Sequence, residues 1–177
     1  MIRIKTTLIL ALGIVFLISG CRQEPKEHVQ RDYVSFIKPH GWILQDITDK
    51  NDNFDTVLLR KQGMFSSGFV TITSINEELE PESWLKTHSD ALAEQDVFTF
   101  TDETFSYTGA SEYAGFPAES AEFTQIYFGA EYEGVMYAFT QSGHSVLVLE
   151  AGTTADRKVN KAGFRIVSES LRINEVR

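Results

Sequence analysis

The 177-residue chain contains one cysteine, Cys21, so it can close no disulfide within itself and can offer no cluster of thiolates to a metal. Its fold must rest on packing. No apolar run approaches the roughly twenty residues that a bilayer-crossing helix needs; the stretch from Leu8 to Ile18 holds eleven. Positive charge is also scarce, with 16 Lys and Arg against 25 Asp and Glu and a formal charge of −9. Such a surface repels phosphate backbones, and no nucleic-acid partner is expected. Reaction signatures are missing as well. There is no Gly-x-Ser-x-Gly elbow, no phosphate-cradling glycine loop, no His-Glu-x-x-His and no dinucleotide fingerprint. The four histidines, His28, His40, His88 and His144, fall on a linker, a turn, a helix and a turn, and no two have ligand spacing. No enzyme activity and no cofactor are expected.

What the N-terminus does contain is an address. Arg3 and Lys5 precede the apolar stretch, which ends in Ile18-Ser19-Gly20-Cys21. A short apolar region followed by small residues reads as a cleavable export signal. The tetrapeptide resembles a bacterial lipoprotein signal, which implies cleavage between Gly20 and Cys21 and lipidation of the Cys21 thiol. Several acyl chains together make a stable anchor, because each buried methylene contributes about 0.8 kcal/mol. Arg22 is not the aspartate that resembles an inner-membrane retention signal, so the resemblance implies an outer membrane, facing the periplasm. The alternatives are an ordinary secretory peptide with an incidental cysteine, or an uncleaved anchor. The signal holds two of the basic residues and none of the acidic ones, leaving −11 on the remainder.

Three segments follow: a signal over 1–20, a lipidated cysteine and flexible tether over 21–32, and one domain over 33–177. The tether assignment rests on Arg22 to Asp32, in which Val29 is the single apolar residue among charges. Within the domain, alternation predicts strands at Tyr33–Ile37, Trp42–Ile47, Thr56–Arg60 and Gly68–Ile75. Glu80-Pro81 opens a helix with Trp84, Leu85 and His88 on one face. The period returns to two through Phe105–Tyr113, Ala118–Phe128, Tyr132–Gln141 and Ser145–Ala151, with turns at Gly115-Phe116-Pro117 and Gly143-His144. A last helix from Thr154 to Ser168 places Ala155, Val159, Ala162 and Ile166 at helical spacing. These elements predict an α+β domain, a central, mostly antiparallel sheet flanked by helices. Val135, Tyr137 and Phe139 alternate with Met136 and Ala138, so both faces of that sheet should be covered.

Phe36, Pro39, Gly41 and Trp42, then Gly115, Pro117 and Ala118, then Phe164, Ile166, Ser170 and Leu171 carry a resemblance that spans Tyr33 to Ile173. In these positions and in element order the chain resembles the PsbP-like superfamily and, within it, the DcrB-like bacterial lipoproteins. The resemblance implies an α/β/α sandwich that binds or assembles other proteins without catalysis. A small apolar ligand or lipid is the alternative occupant, and a hydrolase the third reading.

Candidate site residues are few. Asp49, Asn51, Asn53 and Asp55 occupy the first, third, fifth and seventh places of a calcium-loop template, which then breaks at Phe54 and Arg60. A polar hairpin loop is the plainer reading. Glu77, Glu78, Glu80 and Glu82 gather before the first helix, where they could steer a basic partner. Among the crowded aromatics of the later strands, Tyr107, Tyr113 and Tyr132 are the expected interaction surface, since exposed amphipathic rings anchor partners.

Overall fold

The structure is a computed structural model that describes residues 26–47, 54–63, 66–93, 105–127 and 130–174. The strands are β1 (Glu27–Gln30), β2 (Val34–Lys38), β3 (Trp42–Asp46), β4 (Phe54–Lys61) and β5 (Phe69–Ile75), followed after helix α1 (Pro81–Ala93) by β6 (Phe105–Tyr113), β7 (Phe116–Tyr127), β8 (Ala130–Gln141) and β9 (His144–Thr153). A single 3₁₀ turn (Thr154–Asp156), helix α2 (Arg157–Ser170) and β10 (Arg172–Ile173) end the described chain. Seven strands form one antiparallel sheet in the order β3-β4-β5-β9-β8-β7-β6, and three form another in the order β1-β2-β10.

This corrects the expected helix-flanked α/β/α sandwich. The described chain is mostly β, with two antiparallel sheets. One face of the large sheet is covered by α1, where Trp84 and Leu85 meet Phe123, Met136, Leu147 and Leu149. The other face is covered by α2 together with the small sheet, which brings Val29, Val34 and Phe36 onto Val70, Ile72, Val146 and Val148. Short strands with one apolar face bury surface as well as a helix does, and here they take half of the layer. Central strand β9 is buried on both faces, as the apolar run Val146–Leu149 suggests.

The small sheet also takes in β1, which lies within the segment 21–32 expected to be a flexible tether. Glu27–Gln30 pairs with β2 from Glu27 opposite Lys38 to Gln30 opposite Ser35, and Val29 is buried. An ion pair of 2.8 Å between Lys38 and Glu27 closes its first rung.

Helix α2 turns a different face inward from the one its apolar spacing predicts. Asn160, Gly163 and Val167 are buried, whereas Val159 and Ile166 are 57% and 38% exposed. The reason is contact distance. A Cβ on Gly163 would come within 2.7 Å of Trp42 Cε2, so only glycine lets the helix lie against that ring. Helix α1 begins as expected at Pro81, and Glu80 caps it, accepting from the backbone N–H of Glu82 at 3.2 Å and of Ser83 at 2.6 Å.

Two tight hairpins join the long strands. Ala114 and Gly115 have φ of 58° and 85°, and Ser142 and Gly143 have 54° and 83°, the positive pair that a two-residue hairpin demands. The turns therefore sit one residue earlier than predicted, and Pro117 lies inside β7, opposite Glu112.

A candidate binding cleft beside the second helix

The cover over the α2 face is narrower than the sheet beneath it. Over β7, β8 and the end of β9 the sheet is left open, and a cleft of about 440 Å³ lies between it and the first two turns of α2. Cross-strand register explains its floor. Leu59, Val70, Glu150, Val135, Glu122 and Ser106 stand in one row across six strands, on one face. Under α2 and the small sheet the row is apolar; from Glu150 outward it is polar except for Val135. The next row carries Gly152, Glu133 and Thr124.

Arg157, Asn160, Lys161 and Phe164 form the helical wall. Arg157 is held by Glu133, Nε to Oε1 at 3.2 Å, on the exposed rim. Asn160 is fully buried, and neither its Oδ1 nor its Nδ2 has a hydrogen-bond partner. Its carboxamide lies over the backbones of Gly68 and Gly152, where a Cβ would collide with it. Two glycines at strand ends thus make the slot that admits the side chain. The helix is fixed above it by Ser67, whose hydroxyl donates to Asp156 Oδ2 at 2.9 Å and lies 2.8 Å from Thr153 Oγ1.

Glu150 is the electrostatic centre. Burial pushes its carboxyl up to about 7, although a hydrogen bond from the Tyr113 hydroxyl, 2.8 Å to Oε1, opposes the shift. Tyr113 is itself pushed well above its ordinary value, first by burial and then by the Glu150 charge. Tyr137, whose ring lies 4.7 Å from that of Tyr113, is raised by burial and by the charges of Glu150 and Glu122. Glu122 is exposed and makes no ion pair among the described residues. The cleft therefore combines two carboxyl groups lacking a counter-charge with a cationic rim, beside a buried carboxamide that no described group satisfies. Its charges of both signs suit ionic and hydrogen-bonded contacts.

The predicted site residues are dispersed. Tyr113 is 4% exposed and belongs to the core, which corrects its assignment to an interaction surface. The role it has instead is to hold Glu150. Tyr107 is 44% exposed, and its hydroxyl donates to Glu119 at 2.6 Å, a bond that pushes it up to about 12. Tyr132 is half-buried beside Phe69, with centroids 6.5 Å apart. Neither tyrosine lines the cleft. Asp55 is a β4 residue paired with Ser74, while Asp49, Asn51 and Asn53 lie outside the described residues, as do Gly20 and Cys21. Among the described residues no three His, Cys, Asp or Glu side chains converge closely enough to hold a metal ion. His88 is half-buried and its pKa is lowered by burial.

Sequence reasoning missed Asn160 and Glu150. A signal existed for each: Glu150 is the single charge in the apolar run of β9, and Asn160 is a weak helix former in mid-helix.

No protein-family model matches the sequence, and no curated protein does. Solved structures do match. Cyanobacterial PsbP (CyanoP) from Synechocystis sp. PCC 6803 is similar with a TM-score of 0.55 at 17% identity, covering 88% of this chain and 98% of that one. The chain has a PsbP-like fold. LpqN, involved in cell envelope biogenesis of Mycobacterium tuberculosis, is similar with a TM-score of 0.50 at 10% identity, covering 86% of this chain and 87% of LpqN. At these identities the likeness is one of PsbP-like architecture, and the cleft is a property of this chain's own residues.

Proposed function

We propose that the protein is a lipid-anchored envelope lipoprotein, DcrB-like in kind, whose PsbP-like domain binds or helps assemble other envelope proteins without catalysing a reaction. The observation that carries this reading is the open cleft, which sets Glu150 and Glu122, neither with a counter-charge, beside the Arg157 and Lys161 rim. Charges arranged in this way orient a protein partner and fix its register. Two further features support it. Residues 18–21 resemble a lipoprotein signal, which would hold the domain at a membrane, in an outer membrane facing the periplasm by the character of Arg22. LpqN, of like fold, is involved in cell envelope biogenesis. A small apolar ligand is less well served by this cleft, whose unpartnered groups are polar.

A photo-crosslinking residue placed at Thr124 or Lys161 in cells tests the reading. Adducts with one identified envelope protein from both positions, absent from an equivalent residue at Lys86 on α1, are expected; no adduct, or equal adducts from all three, would refute it. Palmitate labelling of wild type and Cys21→Ser tests the anchor separately, and label retained on the serine variant would exclude lipidation there.

A further inference from the structure

We propose that the edge of the large sheet made by β3 and β4 rests on a lipid bilayer, with Ile43, Ile47 and Phe54 in its interfacial layer and Arg60 against lipid phosphates. The nearness of the bilayer comes from the lipid-anchor reading above, on which this rests; what is added is the face that the anchored domain turns to the membrane.

Three observations carry it. The first is an apolar face without a cover. Leu44 and Leu59 are paired and belong to the cluster under α2, so Ile43, Phe54, Leu58 and Arg60 point to the side on which α1 packs. Ile47 continues that alternation, its N–H bonded to the Thr56 carbonyl at 3.1 Å. Helix α1 lies over β7 and β8, and at about 4.8 Å per strand β4 stands about 14 Å from β8. Out of reach of the helix, Ile43, Ile47 and Phe54 are 41%, 46% and 41% exposed. They are three of the seven large apolar side chains exposed among the described residues, and they share one face of two paired strands. Of the other four, Tyr107 and Ile126 lie on β6 and β7 toward the far edge, and Val159 and Ile166 on the outer face of α2.

The second observation is charge. The chain carries −9, yet no side chain on this face of β3, β4 or β5 is acidic, and Arg60 has no ion pair among the described residues. Asp46 points to the opposite face and is paired with Arg31 at 2.9 Å, and Glu27 is paired with Lys38 at 2.8 Å. Charges more distant than about 8 Å are screened at physiological salt, so a bilayer in contact meets an apolar strip with a guanidinium and no carboxylate.

The third is the place where the chain toward Cys21 leaves the domain. Glu27 stands opposite Lys38, whose Nζ donates to the Trp42 carbonyl at 2.9 Å, so β1 begins beside the first residue of β3. That exit is on the α2 side, one layer of about 10 Å from the large sheet. The six Cα steps from Cys21 to Glu27 span about 20 Å, enough to pass around the β3 edge. With the domain tipped onto that edge, the anchor and the apolar side chains reach the same surface while α1 stays clear of it.

The test uses Phe54→Trp in the full chain as cells process it, reconstituted into vesicles of phosphatidylethanolamine and phosphatidylglycerol with brominated acyl chains, which quench tryptophan. Val159→Trp is the control, and the signal of wild type, whose Trp42 and Trp84 are buried, is subtracted. The indole at position 54 should be blue-shifted and quenched, and the one at position 159 neither. Adding Ile43→Ser/Ile47→Ser should abolish the quenching at position 54 while the protein stays with the vesicles; thermal melts check its fold. Should that variant fail to fold, the exposed Arg60→Gln alone must still weaken the quenching. No quenching at position 54, equal quenching at both positions or quenching undiminished by the serines would overturn the proposal. A blue shift without quenching would mean that protein covers this face, a second copy or another chain, and would overturn it too. Palmitate on Cys21 without quenching at position 54 would leave the anchor reading standing and this inference refuted; quenching in a chain whose Cys21 carries no palmitate would do the reverse.

Discussion

Replacing Gly163 by alanine sets two effects of opposite sign against each other. In an ordinary helix interior alanine is better than glycine by about 1 kcal/mol. Here the new Cβ would lie 2.7 Å from Trp42 Cε2 and 2.9 Å from its Nε1, and nearer still to Cζ2. Trp42 cannot yield easily: it is 5% exposed, it leads β3, and its ring meets that of Phe164 edge-on with centroids 5.9 Å apart. Relief to an ordinary contact needs about 1 Å of movement of ring or helix, and overpacking of this kind costs about 1–3 kcal/mol or more. Because three atoms of a rigid ring are met at once, the cost belongs to the upper part of that range, about 2–3 kcal/mol, and less the propensity gain it leaves a net loss of about 1–2 kcal/mol. For a domain of this size each kcal/mol shifts Tm by about 2–4 °C, so a fall of about 2–8 °C is expected in a thermal melt. Because the same turn of α2 carries Asn160, lifting it should also perturb the amide resonances of Gly68 and Gly152. An unchanged or raised Tm would refute the close-packing argument.

Glu150→Gln keeps an acceptor for Tyr113 and removes a carboxyl whose folded pKa, about 7, stands above its ordinary 4.5. Neutral Glu150 contributes its stability fully below pH 4.5, and that contribution is lost as pH rises through about 7. Urea melts should thus find the variant close to wild type near pH 4.5 and more stable by about 3 kcal/mol at pH 8; a pH-independent difference would refute this. Ala114→Asn places a residue tolerant of positive φ where φ is 58°, and should raise stability by about 0.5–1 kcal/mol in denaturant titration, whereas a loss would count against the turn geometry. Ser67→Ala breaks bonds to Thr153 and Asp156 and should cost about 1–3 kcal/mol, with little effect on the α1 side. Chromogenic glycosides spanning common sugars should give no turnover, and turnover that vanishes in Glu150→Gln would overturn the non-enzymatic proposal.

Period-two alternation made the long strands legible: Phe105–Tyr113 appears as read, and β7 to β9 differ only at their ends. The helix start at Pro81 was legible because its signal is local. What failed depends on contacts distant in sequence. Val29 is one apolar residue among charges, and nothing near it reveals that β2 and β10 will form a second sheet; hence both the missed strand and the overdrawn helical cover. In α2 the apolar stripe Val159, Ala162, Ile166 was the wrong face, since glycine against a tryptophan ring buries more than aliphatic spacing suggests. Tyr113 was taken for surface because strand alternation does not say which face is covered. The cleft was illegible for the same reason: its floor takes Glu150, Val135, Glu122 and Ser106 from four separate strands.

The early start of β1 fixes how far the domain can range. With Cys21 lipidated as proposed, only six Cα steps, about 20 Å when fully stretched, separate the fatty chains from the first paired residue, Glu27. A leash that short would keep the body close to the bilayer. A partner itself held at the membrane would then be met by lateral diffusion in two dimensions.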